Sequence, residues 1–183
     1  KDDPDPVVQF SAVGAISIFG KDAAEPLLDI LINSESTDMQ CGLASWGLSF
    51  IGKDASHILL KALKSENSNI RSVAITALSD HIQNQDPEES KKILIRSLND
   101  SSIEVRSAAI RILGELSNCM WIETYLIESL TDNEVEIRKT SALSLMKLKS
   151  VNSLSKLRYA KSEEKDNRTL AILEMVIKKI ENI

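Results

Sequence analysis

Apolar and small residues recur along this chain with helical spacing. Counting from Arg106, the positions three, six, seven and ten residues on are Ala109, Ile112, Leu113 and Leu116. At about 100° per residue these share one face of a helix, with polar residues on the other. The pattern is periodic at a second, longer scale. Gly20-Lys21-Asp22-Ala23 returns 32 residues later as Gly52-Lys53-Asp54-Ala55. Asn69-Ile70-Arg71-Ser72-Val73-Ala74, Glu104-Val105-Arg106-Ser107-Ala108-Ala109 and Glu136-Ile137-Arg138-Lys139-Thr140-Ser141 match one another. With the arginine as anchor, the equivalents elsewhere are Gln9, Cys41 and Arg168, at successive spacings of 32, 30, 35, 32 and 30 residues. Three positions past the anchor stand Ala12, Ala44, Ala74, Ala109, Ser141 and Ala171; seven past it stand Ile16, Leu48, Leu78, Leu113, Leu145 and Met175. A small residue lets a neighbouring helix come close, and the large aliphatic one turn on fills the space beside it.

Each repeat carries a further helical segment before this one: Ala23–Ile32, Ala55–Lys64, Glu88–Asn99, Trp121–Thr131 and Val151–Lys161. Asp22 and Asp54 are expected to cap two of them, Asp22 with Glu25 at capping-box spacing and Pro26 in the first turn. The polar turns Asn99-Asp100-Ser101-Ser102 and Thr131-Asp132-Asn133-Glu134 separate the helices of a pair. Asp100 precedes Arg106 by six residues, as Asp132 precedes Arg138 and Asp3 precedes Gln9, so acid and arginine are expected to pair within or between repeats as a ladder. Starting with the second-type helix Pro6–Phe19 and adding five pairs gives about eleven helices. The expectation is an all-α chain, an α-solenoid with a repeat of 30–35 residues running as one array over residues 1–183. Asp3-Pro4-Asp5-Pro6 reads as the turn of a repeat whose first helix is absent, so the array is expected to be cut short at its N-terminus.

Composition removes several alternatives. Only 4% of residues are aromatic against 43% hydrophobic, so the core is aliphatic, and six Gly with four Pro do not suit a β-sandwich. The charge balance, 22 basic against 27 acidic residues, is acidic and interspersed, without the basic stripe that phosphate recognition needs; no nucleic-acid partner is expected. The longest uncharged runs, Val7–Gly20 and Met39–Gly52, have 14 residues each, short of a bilayer span, so no membrane insertion is expected. Cys41 and Cys119 have no short-spaced partner, and His57 and His81 stand apart without paired acids, so no metal site is expected.

Taken together, the turn Asp, the aliphatic-Arg pair and the Ala-x-x-x-Leu helix resemble HEAT repeats, in the short variety typified by phycobilisome lyases. Gln40-Cys41-Gly42-Leu43-Ala44-Ser45-Trp46-Gly47-Leu48-Ser49-Phe50-Ile51-Gly52, the long connection Gln83–Ser90 and Arg138-Lys139-Thr140-Ser141-Ala142-Leu143-Ser144-Leu145-Met146-Lys147-Leu148 are similar to cyanobacterial E/F-type bilin lyase subunits and their chaperone-like relatives. That resemblance implies a protein that helps attach an open-chain tetrapyrrole, a phycobilin, to a phycobiliprotein cysteine, or that stabilises the apo-subunit. The phycobilin would be a substrate, not a resident cofactor. The implied partners are a phycobiliprotein subunit and a second lyase subunit, in a cyanobacterial cytosol or plastid stroma. No catalytic residue can be carried over. The alternative is a non-enzymatic HEAT scaffold that binds protein.

With positions three, seven and ten buried, the open arc is positions one, five and eight. This places Gly42, Trp46 and Ser49 on it, with Phe10 from the preceding repeat and Thr76 from the following one: an exposed indole flanked by small residues, suited to a flat amphipathic ligand or a partner's aromatic anchor. Arg111 and Lys139 are the charged positions on the same arc, and an arginine suits the propionates of a bilin. Asp80 and Glu115 are candidates for orienting a tetrapyrrole nitrogen. Cys41 reads as a packed small residue and Cys119 as an exposed thiol. Of the other aromatics, Phe19 is expected in the core and Tyr125 and Tyr159 on first-type helices.

Overall fold

A computed structural model describes residues 5–33, 38–84, 86–116 and 119–183. Among these there are twelve α-helices and no strand: α1 (Pro6–Ser17), α2 (Lys21–Ile32), α3 (Asp38–Ile51), α4 (Ser56–Ala62), α5 (Ser68–Ala77), α6 (Ser79–Gln83), α7 (Pro87–Leu98), α8 (Ile103–Leu113), α9 (Met120–Glu128), α10 (Val135–Lys147), α11 (Leu154–Glu163) and α12 (Asn167–Glu181). The chain divides into two compact units, Lys1–Ser90 and Lys91–Ile183. In the first, α3 packs between α1 and α5, with α2 against α3 and α4 against α5. In the second, α10 packs between α8 and α12, with α9 against α10 and α11 against α12. The expected all-α solenoid of helix pairs is what forms. The twelfth helix, α6, is the end of α5 broken at Leu78, which caps both.

The turns are built alike. Asp5, Asn67, Ser102 and Asp166 cap α1, α5, α8 and α12, each accepting a backbone N–H of the first turn. Four residues past the cap of α5, α8 and α10 stand Arg71, Arg106 and Arg138, and each guanidinium reaches back to two carbonyls of its own turn. Arg71 Nη1 donates to Ser65 O and Glu66 O at 2.8 and 2.9 Å. Arg106 Nη1 donates to Asp100 O and Ser101 O at 2.9 and 3.2 Å. Arg138 Nη1 donates to Asp132 O and Asn133 O at 2.9 and 3.1 Å. Asp132 meanwhile accepts the Glu134 N–H at 2.8 Å, and Asp100 accepts that of Ser102 at 2.9 Å. The link within a repeat therefore runs through main-chain oxygens. The link between repeats is ionic: Arg138 Nε and Nη2 grip Glu164 at 2.8 and 2.7 Å. Glu164 is the acid of the next turn, six residues before Leu170.

Packing follows the repeat in its middle. Ala44, Ala74, Ala109 and Ser141 are at most 1% exposed, and Leu48, Leu78, Leu113 and Leu145 are fully buried. Ser141 Oγ has no hydrogen-bond partner among the described residues, a cost the alanines of the other repeats avoid. The outermost repeats depart. Ala12 and Ile16 are exposed, because among the described residues α1 has helices on one flank only. In α12, Ala171 and Met175 are exposed while Leu173, Val176, Ile177 and Ile180 are buried. Asp166 caps this helix, so the residue four past the cap, Leu170, is the true equivalent of the arginines. The Arg168 register is two residues out, and the last spacing is 32, not 30.

Three other expectations are corrected. Phe19 is 72% exposed, not core, since α1 ends before it and it stands in the turn to α2. Gly20, at φ 59°, is the N-cap of α2 and Asp22 lies in the first turn; Asp54 likewise sits in a 3₁₀ turn, Gly52–Ala55, ahead of α4. Because α2 starts at Lys21, Pro26 falls beyond its first turn. The turn Asp3-Pro4 lies outside the described residues.

Between α8 and α10 the approach is closest. Ser144 Oγ donates to Ile110 O at 2.9 Å, and a Cβ on Gly114 would meet Ser144 Cα and Cβ at 2.9 and 2.8 Å. Gly114→Ala must push the two backbones apart and is expected to destabilise the protein by about 1–3 kcal/mol, read as a lower denaturation midpoint. The Arg138 guanidinium, with the N–H groups of Lys165 and Asp166, holds the Glu164 carboxyl down from an ordinary 4.5 to about 2. Its stabilisation is complete above pH 4.5 and is lost as the pH falls towards 2. Acid titration of stability is expected to lose its slope in that window in Glu164→Gln.

Candidate functional site

The open arc of the first unit is centred on Trp46. Its helix, α3, turns Leu43, Ala44, Leu48 and Ile51 inward, which leaves positions one and five, Gly42 and Trp46, facing out. The indole is 42% exposed. One edge is seated: a Cβ on Gly14 of α1 would lie 3.8 Å from Trp46 Cη2, so the bare glycine forms the shelf under the ring. Phe50, one turn on and 65% exposed, stands with its ring centroid 5.9 Å from that of Trp46, tilted by 36°. One edge of the ring is thus packed and the other open. Among the described residues, nothing beyond Gly42's own helix backbone and chain neighbours lies within 4 Å of where a Cβ would be. The result is a tilted aromatic pair beside a clear backbone surface, geometry that accepts a flat conjugated ligand or an apolar anchor of a partner.

The remaining small residues are polar but self-satisfied. Ser49 is half-buried and donates to Ser45 O at 3.0 Å; Thr76 is exposed and donates to Ser72 O at 2.9 Å. Both hydroxyls spend their proton on the helix, so they act as low walls rather than as donors to a ligand. The Phe10 side chain lies outside the described residues. Phe50 was not among the expected site residues because it stands nine positions past its anchor, between the open arc and the flank; its pairing with Trp46 four residues earlier is the signal that points to it.

Arg111 belongs to the second unit, on the exposed face of α8, and donates to Ser107 Oγ at 3.0 Å. Lys139 pairs with Glu136 one turn earlier, and Glu115 with Lys147 at 3.1 Å. The corrected register of α12 puts Met175 at position five and Ala171 at position one, so both join the open arc. His57 is exposed; His81 is half-buried, and burial lowers its pKa. Cys41 is half-buried, and Cys119 is exposed at the start of α9. Among the described residues no three His, Cys, Asp or Glu side chains gather as metal ligands, and no helix is long and apolar enough to cross a membrane.

Comparison with known proteins agrees with this architecture. Residues 90–176 match the HEAT-repeat family profile. Over 151 residues, 82% of the chain, the sequence is 35% identical to the bilin biosynthesis protein MpeU of Synechococcus sp. (strain WH8020), and it spans about half, 51%, of that relative's length. The fold is similar to a chain of the complex of CpcE and CpcF of phycocyanin lyase from Nostoc sp. PCC7120, with a TM-score of 0.70 at 20% identity, covering 85% of this chain and 98% of that one. It is also similar to a designed armadillo repeat protein in complex with the peptide (KR)4, with a TM-score of 0.54 at 15% identity, covering 93% and 91% of the two chains. Residues 90–176 carry HEAT repeats, and the helix pairs along the chain have the same architecture.

Proposed function

We propose that this protein assists the attachment of an open-chain tetrapyrrole to a phycobiliprotein cysteine, as a subunit of a bilin lyase or as its chaperone-like partner. The observation that carries this reading is the 35% identity to a bilin biosynthesis protein sustained over 82% of the chain. The site is consistent with it. Attachment forms a carbon–sulfur bond between two flexible reactants, and a protein accelerates such a step by fixing their approach. The Trp46 and Phe50 rings offer a flat chromophore an apolar surface, and the clearance over Gly42 leaves one face of that ligand open to a thiol. A second lyase subunit is part of the proposal, supported by the solution of the structural relative as a complex of CpcE and CpcF.

The rival reading is a protein-binding scaffold, favoured by the likeness to an armadillo repeat protein holding a peptide. The two separate in a titration: a bilin handler shifts the visible absorbance of free bilin on mixing, whereas a scaffold captures the apo-subunit and leaves the spectrum unchanged. In co-expression with a bilin source and an apo-phycobiliprotein, this protein is expected to raise the yield of chromophorylated product. Trp46→Ala and Gly42→Leu are expected to lower that yield severalfold without loss of helicity, because both positions face outward. Unchanged yield on omitting the protein would sink the proposal.

A further inference from the structure

Arg111 is held by a hydrogen-bond chain whose polarity can be deduced. Thr140 Oγ1 lies 2.7 Å from Glu136 O, a carbonyl that can only accept, so the Thr140 proton is committed there. Ser107 Oγ, 3.2 Å from Thr140 Oγ1, must then donate to it. With its own proton spent, Ser107 Oγ accepts the Arg111 Nη1 hydrogen at 3.0 Å. Ser107 and Thr140 are 2% and 4% exposed, so two buried hydroxyls from α8 and α10 steady one corner of an otherwise exposed guanidinium. Their mutual bond also joins α8 to α10, alongside the Ser144 Oγ bond to Ile110 O.

The neighbouring cations are already engaged. Of the five basic residues on α8 and α10, Arg106 is spent on its turn, Arg138 on Glu164, Lys139 on Glu136 and Lys147 on Glu115. Among the described residues no carboxylate pairs with Arg111. A surface that recognises an acidic protein segment presents several unpaired cations. This one presents a single preoriented fork, which matches one carboxylate bidentately.

We propose that Arg111 is a binding residue for a propionate carboxylate of the tetrapyrrole, with Ser107 and Thr140 as its positioning residues. This rests on the reading of the protein as a bilin handler and adds which group of a bilin Arg111 recognises, independently of the Trp46 surface.

The test titrates the full chain with biliverdin and with biliverdin dimethyl ester, which keeps the chromophore and removes both carboxylates, following visible absorbance. The free acid is expected to bind about tenfold more tightly than the ester. Arg111→Ala should abolish that difference while leaving ester binding unchanged, and far-UV circular dichroism should show it folded. Arg111→Lys should recover only part of the preference, since an ammonium supplies charge without the fork, and Ser107→Ala should reduce it. Equal affinity for acid and ester, or a preference that survives Arg111→Ala, overturns the inference and leaves the functional reading standing. Binding of neither form overturns both. Loss of apo-phycobiliprotein binding in Arg111→Ala, with the acid preference intact, overturns the inference by assigning the residue to a protein contact.

Discussion

The guanidinium that reaches back onto its own turn sets the geometry of three of the repeats. A helix begins with N–H groups lacking partners, and the turn before it presents carbonyls that also need them. In the α5 and α8 repeats a cap side chain satisfies the first set, and in those two and the α10 repeat an arginine four residues past the cap position satisfies the second, through two carbonyls at 2.8–3.2 Å. Anchoring the arginine to the turn fixes the rotation of the helix about its axis. Once that is fixed, the small residue three places on and the leucine seven places on point inward, and the residue five places on points out. The core and the open face are two consequences of one set of hydrogen bonds.

In the last repeat, where the arginine is missing, the acid of the turn is held from outside. Glu164 occupies the turn position of the last repeat, and Leu170 stands where an arginine would be. The carboxylate is gripped instead by Arg138 of the repeat before, with its side chain only 2% exposed. A carboxylate this enclosed is tolerable because it is matched bidentately and also accepts two backbone N–H groups. The same arginine thus closes its own turn with one nitrogen and the next with the other two, and the register passes from α10 to α12 without a new anchor.

That division explains how much could be read in advance. The helices, their pairing and the buried residues of the four middle repeats were legible, because repetition at 30–35 residues and the 3.6-residue period state the same register twice. The ends were not. Ala171 and Met175 fit the alanine and large-aliphatic positions as well as any residues do, and only the cap at Asp166 shows that the helix is rotated. Phe19 stands at position ten, inward by register, and spacing cannot tell whether a neighbouring helix is there to bury it. Gly42, Trp46, Thr76 and Arg111 are exposed, where the register puts them, and Ser49 is half-buried. That Ser49 and Thr76 spend their protons on their own helices, and that Phe50 joins Trp46, depends on rotamers that spacing does not encode.

The open arc also shows why a repeat built for packing can carry different chemistry in each copy. Position five makes no contribution to the turn, the cap or the small-residue seam, so its identity is free to vary: Gly14, Trp46, Thr76, Arg111, Leu143 and Met175 in turn. Glycine there admits a neighbour's indole, tryptophan offers a ring, and arginine offers a fork. Ser107 and Thr140 lie buried under Arg111 in a seam that also holds Ser141 and Ser144, and they carry their hydrogen bonds out to the guanidinium. Their mutual hydrogen bond joins α8 to α10, and it also orients one side chain on the exposed face.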